Sequence, residues 1–264
     1  MTKTLLLIAS LMLASWSALA QPVQINQATV AASGVNRSTG GFPYVITQPG
    51  SYQLSGNLVV PAGIDGIDIS ADNVSIDLNG FTISGPVVCT GVGNTLSCTP
   101  SGNEHVIAPA GISNPSYQTN LAVRNGTIRG FNTGVSLSGN ANIVEAVQAF
   151  SNSGVGILVS DGIVRHSTAN NNVNGIDCSD CVVTDSTASY NQQVGIFGAT
   201  ATVMQNIAAT NGSYGLLLAG GVFGSNTFEG NTNGGPFVTG ISTVGSLSQK
   251  NNFCGANING VIVC

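Results

Sequence analysis

The sequence predicts an all-β solenoid of short stacked strands, and three observations predict it. A glycine followed by an aliphatic residue recurs as Gly111-Ile112, Gly134-Val135, Gly156-Ile157, Gly175-Ile176, Gly195-Ile196 and Gly215-Leu216, at steps of 23, 22, 19, 20 and 20 residues. An asparagine stands four residues before the later glycines, at Asn152, Asn171, Asn191 and Asn211, and again at Asn231 before Gly235. Between these marks apolar and polar residues alternate in short runs, as in Ile67/Ile69 and Val74/Ile76/Leu78, followed by an Asn79-Gly80 turn and Phe81/Ile83. Alternation at period two is the signature of half-buried strands. A repeat of this length cannot bury its apolar face alone, so each repeat reads as one coil of a stack. Each coil advances about 4.8 Å, so equivalent side chains stand over one another and an Asn column satisfies backbone groups at a turn.

Composition supports this and excludes other classes. Only 6% of the 264 residues are charged, 6 Lys+Arg against 11 Asp+Glu, for a net charge of −5, and 35 are Gly. Helices draw their propensity and solubility from Lys, Glu, Leu and Ala, so this is poor helix material. With 42% hydrophobic residues the chain fills a core and is not disordered. Six scattered basic residues build no cationic stripe, which excludes a nucleic-acid partner.

The N-terminus reads as an export signal. Lys3 precedes the apolar run Leu5 to Leu13, and Ala18-Leu19-Ala20 offers a cleavage site before Gln21, so residues 1–20 are expected to be removed. No later stretch reaches the roughly 20 apolar residues a membrane span needs. The expected location is therefore secreted or periplasmic. In such a compartment an even number of cysteines points to disulfides, and sequence neighbours suggest Cys89–Cys98, Cys178–Cys181 and Cys254–Cys264.

Segments such as Asn73-Val74-Ser75-Ile76-Asp77-Leu78-Asn79-Gly80 and Val123-Arg124-Asn125-Gly126-Thr127-Ile128 resemble the right-handed parallel β-helix proteins of pectate-lyase-like fold, in particular uncharacterised secreted bacterial members. The resemblance implies a right-handed parallel β-helix of roughly eight turns. It runs over residues 64–236, between an N-terminal cap at 21–63 and a C-terminal cap at 237–264. The step from Gly66 to Gly111 is 45 residues, twice the period, and marks an inserted loop at 86–109 held by Cys89–Cys98, or else an irregular extra turn. The fold hosts lyases, hydrolases, epimerases and non-catalytic adhesins alike. The Asn-Thr-Asp, Asp-Asp, Gly-His-Gly and Arg-Ile-Lys segments of the family hydrolases, and the Asp-Pro-His-Asp of the epimerases, are absent from this sequence.

Stacking the repeats places side chains in columns. The residue two after each glycine should point outward, giving Ser136, Leu158, Asp177, Phe197, Leu217 and Phe237. The apolar members need a cover, and the C-terminal tail with Phe253, Val261, Ile262 and Val263 is the expected one, a partner chain or ligand the alternative. Asp161 and Asp180, each five residues after its glycine, should stack on adjacent coils near Asp177. Two such carboxylates suit a Ca²⁺ site or an acid and nucleophile pair for glycoside cleavage, and equally suit solvated turns. Arg165-His166 forms a third group: Arg165 is expected opposite Asp185, and His166 to share a column with Ser186, Asn206 and Asn226 or to act as general base. His105 beside Glu104 in the inserted loop is a weaker candidate.

These readings favour a secreted non-catalytic surface or carbohydrate-interaction protein. A polysaccharide-active lyase or glycoside hydrolase using Asp161, Asp177 and Asp180 is the alternative. A polysaccharide is the expected partner, and because the chain is itself negative an anionic polymer would be repelled unless a cation bridged the two. The sequence leaves the oligomeric state open.

Overall fold

The computed structural model describes residues 21–33, 37–100, 110–238, 247–248 and 251–254. The export segment 1–20, Glu104, His105, Val261 to Val263 and Cys264 lie outside them, and with Cys264 the Cys254–Cys264 pairing. The chain is a parallel β-solenoid of about nine turns, one more than the repeat count predicts. The extra coil comes from residues before Ile64: Val23–Ile25 already pairs in parallel with Gly50–Leu54, at Val23↔Tyr52 and Ile25↔Leu54.

Each coil carries three strands, which stack into three faces. Face 1 runs through Tyr44–Ile46, Ile67–Ile69, Ala110–Ser113, Thr133–Leu137, Val155–Ser160 and Asn174–Ser179, then onward through the first halves of Ile196–Met204 and Tyr214–Gly224. Face 2 contains Gly50–Leu54, Val74–Asp77, Gly162–Arg165 and Val182–Thr184, and face 3 Thr82–Ser84, Thr168–Asn170, Thr187–Ser189, Ile207–Ala209 and Thr227–Glu229. The inward residues, among them Ile112, Val135, Ile157, Ile176, Ile196 and Leu216, are fully buried and form one continuous core.

The corners between faces are single residues in the left-handed region. Between faces 1 and 2 these are Asn73, Asn120, Ala141, Asp161, Asp180 and Thr200, with φ between 50° and 60°. Between faces 2 and 3 they are Asn79, Asn125, Ala146, His166, Asp185, Gln205 and Ser225. Asn and Asp enter this region at lower cost than other side chains, which accounts for their abundance here. Beside the third corner runs the buried ladder Asn152, Asn172, Asn191, Asn211 and Asn231. Asn152 Oδ1 accepts from the Phe131 backbone N–H, and from Asn172 onward each Oδ1 accepts from the preceding Asn of the ladder, as Asn191 Oδ1 does from the Asn172 backbone N–H at 3.0 Å.

Asn171, expected in that ladder, is instead the left-handed corner residue next to it, with φ 54°. The turn Asn172-Val173-Asn174-Gly175 is one residue shorter than Asn152-Ser153-Gly154-Val155-Gly156, so counting four back from Gly175 lands one position early. The same short coil displaces the third candidate group. Arg165 stacks on Thr184, not Asp185, and His166 shares its corner column with Asp185. The column of Ser186, Asn206 and Asn226 begins at Ser167, whose backbone N–H donates to Ser186 Oγ at 3.2 Å.

Register across the 45-residue step is unbroken, with Ile67↔Ile112, Ile76↔Val123 and Ile83↔Ile128. The step is thus an insertion within one coil. Its described part is an antiparallel hairpin, Val87–Thr90 with Ser97–Pro100, closed by the Cys89–Cys98 disulfide. The hairpin docks against the third corner several coils away, where Gly93 N–H donates to Tyr190 O and Gln192 Nε2 donates to Leu96 O, both at 2.9 Å. At the N-terminal end the short helix Gln27–Ala32 lays Val30, fully buried, over the open core. Asn26 caps it, accepting from the N–H groups of Ala28 and Thr29. Among the described residues no helix is long and apolar enough to cross a membrane.

Candidate functional site

The corner between faces 1 and 2 opens into a groove of about 610 Å³. Its floor is the outward column of face 2, Ile143, Ile163, Val182 and Thr202, and its rim includes Asn120, Asn140, Asp161, Asp180 and Thr200. Asp161 and Asp180 stand on successive rungs, their backbones tied to the next coil by Asp161 N–H to Ser179 O at 2.9 Å and Asp180 N–H to Ala199 O at 2.8 Å. Both are exposed. Below Asp180 the corner is closed by the Cys178–Cys181 disulfide, with Cys178 fully buried and Cys181 nearly so. The bridge holds the end of face 1 to the start of face 2 and fixes the direction of the Asp180 corner.

The third candidate carboxylate is elsewhere. Asp177 projects from face 1, in register with Leu158 below and Phe197 above, and does not line the groove. Burial between these apolar neighbours raises its carboxyl above the ordinary value. Arg165 is taken up by Glu145 one rung below, with Nε 2.9 Å from Oε1, an ion pair whose N–H points off the carboxylate. His166 Nδ1 lies 4.0 Å from the same oxygen and the ring is 61% exposed, so no pocket surrounds it as a base. Arg124, beside the Asn125 corner, pairs with Asp77 at 3.7 Å. Calcium takes about 6–8 oxygen ligands. Among the described residues no group of three or more His, Cys, Asp or Glu is placed to hold a metal ion.

A second carboxylate group escaped the sequence reading. The outward column of face 1 continues downward from Ser136 to Ser113 and Asp68. Ser113 Oγ lies 2.8 Å from Asp68 Oδ1 and 3.0 Å from Asp65 Oδ2, while Asp65 Oδ1 accepts from Ala110 N–H. A hydroxyl has one proton, so it donates to one carboxylate and is satisfied by the other only when that one is protonated. Burial pushes Asp68 up from 3.8 to about 6; the Ser113 hydrogen bond opposes the shift and Asp65 adds to it. The signal was present in the sequence: Asp65-Gly66-Ile67-Asp68 parallels Asn174-Gly175-Ile176-Asp177. The insertion hid the alignment by doubling the step.

This pair carries a pH prediction. Asp68 titrates higher folded than unfolded, so the stability it contributes is fully present below about pH 3.8 and lost as pH rises through about 6. Discounted for solvent screening, the loss is about 1 kcal/mol. Denaturant midpoints should therefore fall between about pH 4 and pH 7 in the wild type, and fall less in Asp68→Asn. Equal pH dependence in both proteins would remove Asp68 from the account.

The outward apolar column of face 1 is half-buried at Leu158, Phe197 and Leu217. Phe253, expected to help cover it, is on face 3 in register with Thr227 and 63% exposed. The docked hairpin stands at the edge of face 1, beside the coil that leads into Gly195.

No protein-family profile matches this chain, and no curated protein matches it. Solved structures do. The catalytic domain of Agl-KA superposes with a TM-score of 0.51 at 14% identity, over 81% of this chain and 50% of that one. The A-module of the mannuronan C-5 epimerase AlgE4 from Azotobacter vinelandii gives 0.47 at 13%, over 71% and 62%. The enzymatically active domain of tailspike protein 2 from bacteriophage CBA120 gives 0.43 at 13%, over 89% and 46%. The likeness is one of fold. This chain spans about half the length of the first of these structures.

Proposed function

We propose that this is an exported polysaccharide-binding β-solenoid without catalytic activity, and that its ligand lies in the groove at the corner of faces 1 and 2. The observation that carries the reading is the groove itself: an aliphatic floor of Ile143, Ile163 and Val182 flanked by amides, hydroxyls and carboxylates. Sugar rings present an apolar C–H face and a polar edge, and a groove with an apolar base and a few polar groups at its rim matches both. The two described disulfides fit an oxidising compartment. The mature chain is expected to bind at least one polymer in a panel of neutral, cationic and acidic polysaccharides and to release no new reducing ends. Turnover on any of them would sink the non-catalytic reading.

A polysaccharide-cleaving enzyme is the second reading, and one observation favours it. Asp161 and Asp180 sit one rung apart, about 4.8 Å in backbone spacing, close to the carboxyl separation of about 5–5.5 Å in retaining glycosidases. Against it, Asp177 projects from another face and Arg165 is already paired. If cleavage is found, Asp180→Asn should abolish it with the fold intact, and an unaffected rate would remove this corner from the reaction.

A further inference from the structure

We infer that the polymer this groove takes is an amino sugar, a chain of pyranose rings bearing protonated amines. The inference rests on the carbohydrate-binding reading above and follows from the charge of the groove. Asp161 and Asp180 line it, and no Lys, Arg or His does. The nearest cations on face 2 are already neutralised, Arg165 by Glu145 at 2.9 Å and Arg124 by Asp77 at 3.7 Å. His166 faces Glu145, at 4.0 Å, rather than the groove. Among the described residues neither groove carboxylate has an ion-pair partner, so the groove presents two negative charges over an aliphatic floor.

An acidic polymer meets repulsion there, and a neutral one gains no ion pair from the two exposed charges. An amino-sugar chain laid along the solenoid axis answers them. Its rings rest on Ile163 and Val182, its amines reach Asp161 and Asp180 on successive rungs about 4.8 Å apart, and its hydroxyls face Asn140 and Thr202.

The test is calorimetric titration of the full chain with a glucosamine hexamer and an N-acetylglucosamine hexamer, at low salt and mildly acidic pH where free sugar amines are protonated. The glucosamine hexamer should bind more tightly, and Asp161→Asn and Asp180→Asn should each weaken it by about fivefold, a larger loss than either variant shows for the acetylated hexamer. Asn holds the left-handed corner conformation as Asp does, so both variants should fold. A second measurement needs no variant: raising salt to about 0.5 M should erase the preference between hexamers. Equal affinity for the two hexamers, or a double variant that binds glucosamine as wild type does, overturns the amino-sugar assignment and leaves polysaccharide binding standing. Binding to a neutral polymer but to neither hexamer does the same. Binding to no glycan overturns both.

Discussion

Asn191→Ala should lower the stability of the chain by about 3 kcal/mol, and Asn171→Gly by less than about 0.5 kcal/mol. The two asparagines are a single coil apart and the sequence alone gives them the same role. Asn191 is fully buried, and its Oδ1 accepts from the Asn172 backbone N–H at 3.0 Å. Its Nδ2 donates to Ala169 O and Asn211 Oδ1, both at 3.0 Å. Truncation leaves these groups inside the core without water, and each buried group so stranded costs about 1–3 kcal/mol. Asn171 bonds to no ladder member through its side chain and sits at φ 54°, which glycine adopts freely. Urea midpoints at unchanged slope are the readout. Comparable losses from the two substitutions would refute a ladder that runs through Asn172 and Asn191 and leaves out Asn171.

The contrast shows what kind of information a repeat carries. The period identifies the stacking of Ile157, Ile176, Ile196 and Leu216 without ambiguity, because each of these coils places an aliphatic residue after its glycine. Position within a turn is weaker evidence, since turns absorb single-residue length changes that strands do not. One residue fewer between Asn172 and Gly175 shifts Asn171, His166 and the residue stacked on Arg165 by one place each. The ion-pair partner of Arg165 is Glu145, 20 residues before it on the preceding coil, a spacing as visible in the sequence as the one forward to Asp185.

The site was legible in part for a related reason. Asp161 and Asp180 each stand five residues after their own glycines, upstream of the next variable turn, and they line one groove. That Asp177 leaves from another face follows from alternation: it is an outward strand residue of face 1, while Asp180 is the corner itself. What no spacing could show is the groove's aliphatic floor, because Ile163 and Val182 point outward at positions a strand pattern assigns to polar residues. Apolar side chains placed outward in a chain with 6% charge look like ordinary composition until the surface around them is seen.

The glycine column and the asparagine ladder form a single unit, and Gly195→Ala should expose this by destabilising the chain by about 3 kcal/mol. A Cβ at position 195 would stand 2.6 Å from Gly215 O on the next coil, 2.6 Å from Asn211 Nδ2 and 3.0 Å from Ala188 O. Two of these are backbone atoms of the stacked coils, which cannot yield without lengthening ladder hydrogen bonds. Gly56→Ala, whose Cβ would meet nothing nearer than Asn26 Cβ at 3.6 Å, is the control and should change stability by less than about 0.5 kcal/mol. The contact with Asn211 makes a further demand. Glycine is required at 195 partly because the ladder side chain of the following coil passes beneath it, so removing that side chain should relieve part of the clash. Gly195→Ala combined with Asn211→Ala should therefore cost about 1 kcal/mol or more less than the sum of the single changes. Strict additivity would mean that the two columns recur together for separate reasons, the glycine for strand approach alone and the asparagine for the turn alone.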